Sequence, residues 1–137
     1  SAIVVSLGIN DVTAGVTKKQ WMRQQQVLVQ ELTNRFSTSK IIISQIPGLE
    51  NFEVIPQPLR WCLGMQSKRF NAVAKSTWSG HPVCEFMDLP LVFDRSLMAS
   101  DNFHPSEKAY RIWGEAFAQC IVSGEKQREV YRQAKVL

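Results

Sequence analysis

The sequence predicts an α/β fold built on a parallel sheet, because strand-like and helix-like segments alternate along it. Three near-continuous apolar runs, Ala2–Leu7, Lys40–Ile46 and Val83–Leu89, are rich in β-branched residues. This pattern is typical of strands buried on both faces. Amphipathic segments of helical length separate the runs, as in βαβ units with helices packed on the faces of the sheet.

The first part of the chain predicts a strand, a loop and a helix in that order. Strand Ala2–Leu7 is followed by a polar loop, Gly8–Gly15, that is bounded by glycines. Thr17 begins a helix, and Gln20 stands three residues later, which suits a capping box. Residues recur at helical spacing and are predicted to face the sheet: Trp21, Leu28, Leu32 and Phe36.

Two further helices are predicted in the remainder. Pro47 and Gly48 end the second strand, and helix Leu59–Trp78 follows, with one stripe predicted to face inward: Leu59, Leu63, Gln66, Phe70, Val73 and Thr77. A loop, Pro90–Pro105, separates the third strand from a last helix over Ser106 to about Val122. Its predicted inner face comprises Tyr110, Trp113, Phe117 and Ile121. We expect one domain over residues 1–122 and a polar helical tail over 123–137.

Composition excludes several classes of protein. The 137 residues carry a net charge of +4, 45% hydrophobic and 20% charged residues, which is ordinary globular usage. No apolar run reaches the roughly 18 residues of a membrane span. No signal peptide is visible, but an N-terminus outside this sequence would hide one, so the compartment stays open. Basic residues are scattered except near the end, which argues against nucleic-acid binding: Lys126, Arg128, Arg132 and Lys135.

The three cysteines do not indicate a metal or redox site. Cys62, Cys84 and Cys120 are widely spaced and form no C-x-x-C pair, so a zinc ribbon or a thioredoxin-type site is disfavoured. A sparse, odd number of cysteines fits reduced, buried thiols better than a disulfide framework. A metal site would need a third ligand beside a histidine and a carboxylate, and the second histidine, His81, is interpreted as structural.

A first candidate segment, Gly8-Ile9-Asn10-Asp11, directly follows the first strand. As a plain turn, it would use the tolerance of Gly and Asn for left-handed backbone angles. As a functional segment, it would point the Asn10 amide into a cleft at the carboxyl edge of the sheet. An amide N–H placed there stabilises the oxyanion of an acyl-transfer intermediate.

A second candidate segment, Asp101-Asn102-Phe103-His104-Pro105, precedes the last helix. As a plain helix entry, it would place Pro near the first turn. As a functional segment, it would let the Asp101 carboxylate reach the His104 imidazole within a compact turn. A carboxylate accepting from Nδ1–H fixes the tautomer and leaves Nε2 available as a base.

Together, in this order, the two segments resemble blocks of the SGNH hydrolases, also called GDSL-type esterases and lipases. Gly8, Asn10 and Asp11 match the G-x-N-D block, and Asp101, His104 and Pro105 match the D-x-x-H-P block. The resemblance covers the chain to about Val122. It implies a flavodoxin-like three-layer αβα sandwich, with Asp101 and His104 catalytic, Asn10 in the oxyanion hole, and neither metal nor cofactor.

The family's nucleophilic serine block, G-D-S, does not occur in this sequence. In the family that block precedes the G-x-N-D strand, so the resemblance implies that N-terminal strands, the nucleophile and two backbone donors lie outside these residues. Ser6 and Ser44 are predicted to lie inside strands, and Ser106 is explained as a helix N-terminal residue. We therefore expect no nucleophile in this chain and no esterase activity from it alone.

Three functions remain open from the sequence. The leading one is a serine ester hydrolase acting on a small-molecule ester, with its nucleophile supplied from outside these residues. The alternatives are a non-catalytic binding or interaction module on the same fold, and a metal-assisted phosphoesterase using Asp11, Asp101 and His104. We also expect the apolar edge of strand Ala2–Leu7 to be covered by a second copy of the chain, by an N-terminal fragment or by an alternative strand, since bare edges promote aggregation.

Overall fold

A computed structural model describes residues 1–37, 40–89 and 95–134. The chain divides into two compact units, Ser1–Phe93 and Asp94–Leu137. The first unit contains a three-stranded parallel sheet in the order β1-β2-β3, with helices between successive strands. The α/β class with a parallel sheet, predicted from the alternating pattern, is therefore confirmed.

The strands are shorter than their apolar runs. They span Ala2–Val5 (β1), Lys40–Ser44 (β2) and Cys84–Met87 (β3). Val4 lies opposite Ile42, and Ile42 lies opposite Glu85 on the far side. Every residue of central strand β2 is buried, which explains why its run of three isoleucines has no polar alternation.

The predicted loop Gly8–Gly15 contains a short helix, α1 (Ile9–Thr13). Its first bond runs from the Val12 N–H to the Gly8 carbonyl at 3.0 Å. Gly8 enters this helix at φ 131°, a conformation that residues with a side chain rarely adopt. The prediction of an irregular loop was wrong here, because five residues are too few for a hydrophobic period to show.

Helix α2 (Lys18–Arg35) begins as predicted. The Thr17 hydroxyl accepts from the Gln20 N–H, and the Gln20 side chain accepts from the Thr17 N–H, which completes the capping box. Trp21 is fully buried, whereas Phe36 is 54% exposed, so the inward placement of Phe36 was wrong. Phe36 follows the last helical residue with an extended backbone, which takes its side chain off the helical stripe.

Helix α3 (Leu59–Trp78) has the predicted bounds but buries a different face. The predicted stripe and the buried face have only Phe70 in common. The buried residues of α3 are Gly64, Ser67, Phe70, Ala74 and Trp78. Small residues dominate the observed face because the chain approaches closely there: a Cβ on Gly64 would lie 2.7 Å from the Glu50 Cβ. An apolar count overlooks such positions, since Gly and Ser do not register as hydrophobic.

The second unit contains a 3-10 turn, Arg95–Leu97, and the long helix α4 (Glu107–Ala134). The backbone is thus helical well into the predicted tail. Tyr110 is exposed and its neighbour Ala109 is buried, which corrects one position of the predicted inner face. Residues 90–94 of the predicted loop lie outside the described residues. So do residues 135–137, and nothing is described for the basic side chains of Lys126, Arg128, Arg132 and Lys135.

Within the described residues, no helix combines the length and the apolarity needed to cross a membrane. Cys62 and Cys84 are both free thiols, but only Cys84, in β3, is buried; the expectation of a buried thiol was wrong for Cys62, which is exposed on α3. Burial raises the pKa of the Cys84 thiol to about 11, because the thiolate would lose its hydration. Cys84 therefore behaves as a small apolar residue at neutral pH.

Candidate active site

A narrow hairpin-like loop in the second unit carries the Asp–His segment. The Ser106 N–H donates to the Leu97 carbonyl at 2.8 Å, and the Ala99 N–H donates to the His104 carbonyl at 2.8 Å. Met98 and Pro105 form an antiparallel bridge between these two bonds. The backbone on both sides of the turn is thus fixed by hydrogen bonds.

Asp101 lies at the tip of this loop and organises it. Its Oδ1 accepts from the N–H of Phe103 at 3.0 Å and from the N–H of His104 at 2.9 Å. Asn102 between them has a φ of 54°, in the left-handed region that Asn tolerates better than most residues. One carboxylate oxygen therefore holds the turn, and the other is available for the imidazole.

The second oxygen of Asp101, Oδ2, lies 2.6 Å from Nδ1 of His104. The hydrogen bond from the imidazole, followed by those from the N–H groups of His104 and Phe103, holds the pKa of the Asp101 carboxyl well below its usual range. Because an ionised carboxylate only accepts hydrogen bonds, Nδ1 carries the proton. Nε2 of a neutral His104 is then the basic nitrogen.

The imidazole is presented to solvent. The His104 side chain is 68% exposed and the Asp101 side chain 49%. Nε2 of His104 has no hydrogen-bond partner within the part of the chain that the structure describes. The Phe103 ring meets the imidazole edge-on, with centroids 5.3 Å apart and planes at 80°. The arrangement is an oriented base, able to take a proton from a group brought to Nε2.

Ser106 has the structural role that its position suggested. Its hydroxyl donates to the Ser96 carbonyl at 3.2 Å and accepts from the Ala109 N–H at 3.4 Å. Its carbonyl accepts from the Tyr110 N–H. Ser106 therefore caps the N-terminus of α4, and its hydroxyl is used in that cap.

The Gly8–Asp11 segment is held at its first residue by a close contact with the Ile46 side chain. A Cβ built on Gly8 would lie 2.4 Å from Cδ1 of Ile46 and 2.7 Å from its Cγ1. Ile46 is only 2% exposed, so its side chain has little room to move. Glycine is thus required at position 8 for both its backbone angle and its lack of a side chain.

Asn10 lies in the first turn of α1 and is exposed. Its carbonyl accepts from the Ala14 N–H at 2.9 Å and from the Thr13 hydroxyl at 3.1 Å. Its side-chain amide has no hydrogen-bond partner among the described residues, so its N–H donors are available. Asn10 belongs to the first unit and the Asp101–His104 pair to the second, and their shared crevice stays a prediction.

The serines expected inside strands differ in their surroundings. Ser44 is buried at the end of β2, as expected, and its hydroxyl donates to Ser6 Oγ at 3.0 Å. Ser6 lies just beyond β1 and is exposed, so its assignment to a strand interior was wrong. Ser6 also lacks the preceding glycine of a nucleophile elbow, Val4 standing two positions earlier.

His81 has the contacts of a structural residue. Its Nδ1 accepts from the N–H groups of Cys84 at 3.1 Å and Val83 at 3.4 Å, which orders the entry to β3. Backbone N–H groups only donate, so Nδ1 of His81 is unprotonated in this arrangement, the reverse of His104. Within the described residues, no three His, Cys, Asp or Glu side chains are grouped to hold a metal ion.

Sequence reasoning missed Asn71 on α3. Its side chain accepts from the Ile46 N–H and donates to the Ile46 carbonyl, both at 2.8 Å. This pairing satisfies the N–H and C=O groups of Ile46, which lies beyond the end of β2 at Ser44. The only sequence signal is a polar residue directly after buried Phe70, and that pattern is too common to identify a contact with residue 46.

The two segments lie within one family match. The model of the GDSL-like Lipase/Acylhydrolase family matches residues 1–112. The chain belongs to this family. Membership assigns it to hydrolases of the esterase and lipase type, and the matched range includes Asn10, Asp101 and His104. None of the curated proteins compared with the chain matches it.

Proposed function

We propose that this GDSL-family chain supplies the acid, the base and one oxyanion donor of a serine ester hydrolase, and that the nucleophilic serine comes from outside these 137 residues. The observation that carries the proposal is the Asp101–His104 pair, with Nδ1 held at 2.6 Å from a carboxylate and Nε2 exposed. A turn whose only role was to start a helix would not need an oriented, solvent-facing imidazole.

In the proposed reaction, Nε2 of His104 takes the proton from the serine hydroxyl as its oxygen attacks the ester carbonyl. Asp101 stays ionised and stabilises the imidazolium that forms. The Asn10 amide donates to the oxyanion of the tetrahedral intermediate. His104 then gives the proton to the departing alcohol, which leaves the acyl group bonded to the serine. In the second half, His104 takes a proton from water as it attacks that acyl group, and it returns the proton to the serine as the acid is released. The proposed reaction uses no cofactor.

The substrate that this chemistry fits is a small-molecule acyl ester. Lysophospholipids, acyl thioesters and acetylated sugars all present the carbonyl that the proposed site would attack. The absence of a G-D-S block from the sequence also favours a second function, a non-catalytic binding module that keeps the fold. Ester turnover, measured on this chain joined to a segment that carries the serine block, distinguishes the hydrolase from the binding module.

The chain alone is expected to show no ester turnover above background. Without the serine, His104 has no hydroxyl to deprotonate. In a serine hydrolase of another fold, removing the nucleophile lowers kcat by about 10⁶-fold. A fluorogenic short-chain ester assay measures this directly. Turnover that disappears in His104→Ala but persists in His81→Ala, the matched histidine control, contradicts the proposal of an external nucleophile.

We further propose that another strand covers the edge of β1 that faces away from β2, where the described residues place no strand. The Ile41 N–H donates to the carbonyl of Val83, just before β3, and the Gln45 N–H donates to the carbonyl of Met87, the last residue of β3. Because alternate residues of a strand turn their backbone groups to opposite sides, Ile42 turns its N–H and C=O toward β1. Val4 lies opposite Ile42 in the register, and its own N–H and C=O therefore point away from β2. Val4 and Leu7 are also exposed. A second copy of the chain and an N-terminal fragment of the domain are the candidate partners.

Self-association through this edge is expected to depend on concentration and on Val4. Sedimentation of the purified chain should show a dimer that Val4→Lys weakens, because the lysine places charge at the pairing edge. Val27→Lys, at an exposed valine on α2, is the control and should leave association unchanged. A chain that stays monomeric at all concentrations, and that does not bind a separately made N-terminal fragment, contradicts the proposal.

A further inference from the structure

A chain of three contacts connects α3 to the segment that carries Asn10. Asn71 clamps both backbone groups of Ile46 at 2.8 Å, in the manner of a neighbouring strand. The Ile46 side chain lies directly against Gly8, within 2.4 Å of where a Cβ would be. Gly8 in turn accepts the first helical hydrogen bond of α1, from the Val12 N–H. Asn10 lies between these two residues.

We infer that Asn71 is a positioning residue for the Asn10 amide, acting through Ile46 and Gly8. The inference rests on the proposed role of Asn10 as an oxyanion donor. Asn71 does not touch the reacting groups. It fixes the position of the backbone at Ile46, just past β2. Ile46 transmits that position because it is buried and pressed against a residue that has no side chain to yield.

Two other hydrogen-bonded contacts near α1 act at different points of the segment. The Gln66 side chain donates to the Val16 carbonyl at 3.1 Å, which ties α3 to the far end of the loop rather than to its start. The Thr13 hydroxyl bonds only within the helix itself, to the carbonyls of Ile9 and Asn10. The Ile46 contact at Gly8 meets the backbone two residues before Asn10.

The test uses the full chain, labelled with ¹⁵N, and two variants that break different links. Asn71→Asp keeps the side-chain shape but replaces the donor to the Ile46 carbonyl with a second acceptor. Ile46→Val keeps the backbone clamp and removes Cδ1, the atom nearest Gly8. Both should shift the backbone amide signals of Gly8–Val12 and the Asn10 side-chain NH₂ signals. Both should also speed exchange of the Val12 amide proton, on the order of tenfold.

Asn34→Asp is the matched control, because Asn34 is an exposed asparagine on α2 and the change in charge is the same. It should leave the signals of Gly8–Val12 in place. The inference is overturned if Asn71→Asp moves the Ile46 amide signal while the signals of Gly8–Val12 and the Asn10 side chain stay unchanged. If Asn71→Asp fails to fold, an unchanged Asn10 signal in Ile46→Val overturns it. These outcomes do not depend on ester turnover, so failure of the proposed function would be seen separately.

Discussion

Replacing Gly8 with alanine is expected to lower the free energy of unfolding by about 3–5 kcal/mol, the sum of two separate costs. The first is backbone strain, because Gly8 has a φ of 131°. The second is overpacking, because the new Cβ would overlap Cδ1 and Cγ1 of Ile46, a side chain with almost no exposed surface. Urea denaturation followed by tryptophan fluorescence measures the change.

Two other glycines separate these costs. Gly15 has a φ of 72° but nothing within 4 Å of a built Cβ, so Gly15→Ala should cost only the strain, about 1–2 kcal/mol. Gly114 lies within α4 with equally open surroundings, and Gly114→Ala should stabilise the helix by about 0.5–1 kcal/mol. Adding Ile46→Val to Gly8→Ala should recover part of the overpacking cost. Equal effects of Gly8→Ala and Gly15→Ala would show that the Ile46 contact is unimportant.

Truncating Phe70 to alanine should destabilise the first unit by about 3–5 kcal/mol. Phe70 has no exposed surface and stacks on Trp21 with ring centroids 4.6 Å apart and planes at 18°. The stack joins α3 to α2, so its loss leaves a cavity between two helices that pack against each other. Thermal and chemical unfolding, followed by tryptophan fluorescence, measure the loss.

Phe36→Ala provides the control, since it removes the same side chain from a position that is 54% exposed. Its effect should stay within about 0.5 kcal/mol, as for most surface substitutions. A cost close to that of Phe70→Ala would contradict the exposed position of Phe36 and favour the inward packing that its helical spacing predicts.

Local patterns predicted the elements of this fold well. The capping box at Thr17 and Gln20 and the bounds of α3 were both predicted, because each depends on residues that are close in sequence. The Asp101–His104 contact belongs to the same class, since three residues of a tight turn bring the two side chains together. Whether this pair shares a crevice with Asn10 stays a prediction, as do the division at residue 122 and the catalytic roles.

Packing between distant segments was not predictable from the same patterns. Helical spacing placed Phe36 inward and missed the buried Gly64 and Ser67, because a hydrophobic period does not record how closely a neighbouring segment approaches. The Asn71 clamp spans 25 residues and leaves no local signature.

Residues close together in the chain were enough to predict the order of strands and helices, the family resemblance and the spacing that pairs Asp101 with His104. Three features followed only from the folded arrangement: the close contact that requires glycine at position 8, the buried face of α3, and the pairing of the Asn71 side chain with the Ile46 backbone. The difference lies in the sequence separation of the contacting residues. Hydrogen bonds within a turn are set by neighbouring residues, whereas close packing depends on the shape of segments that meet only after folding.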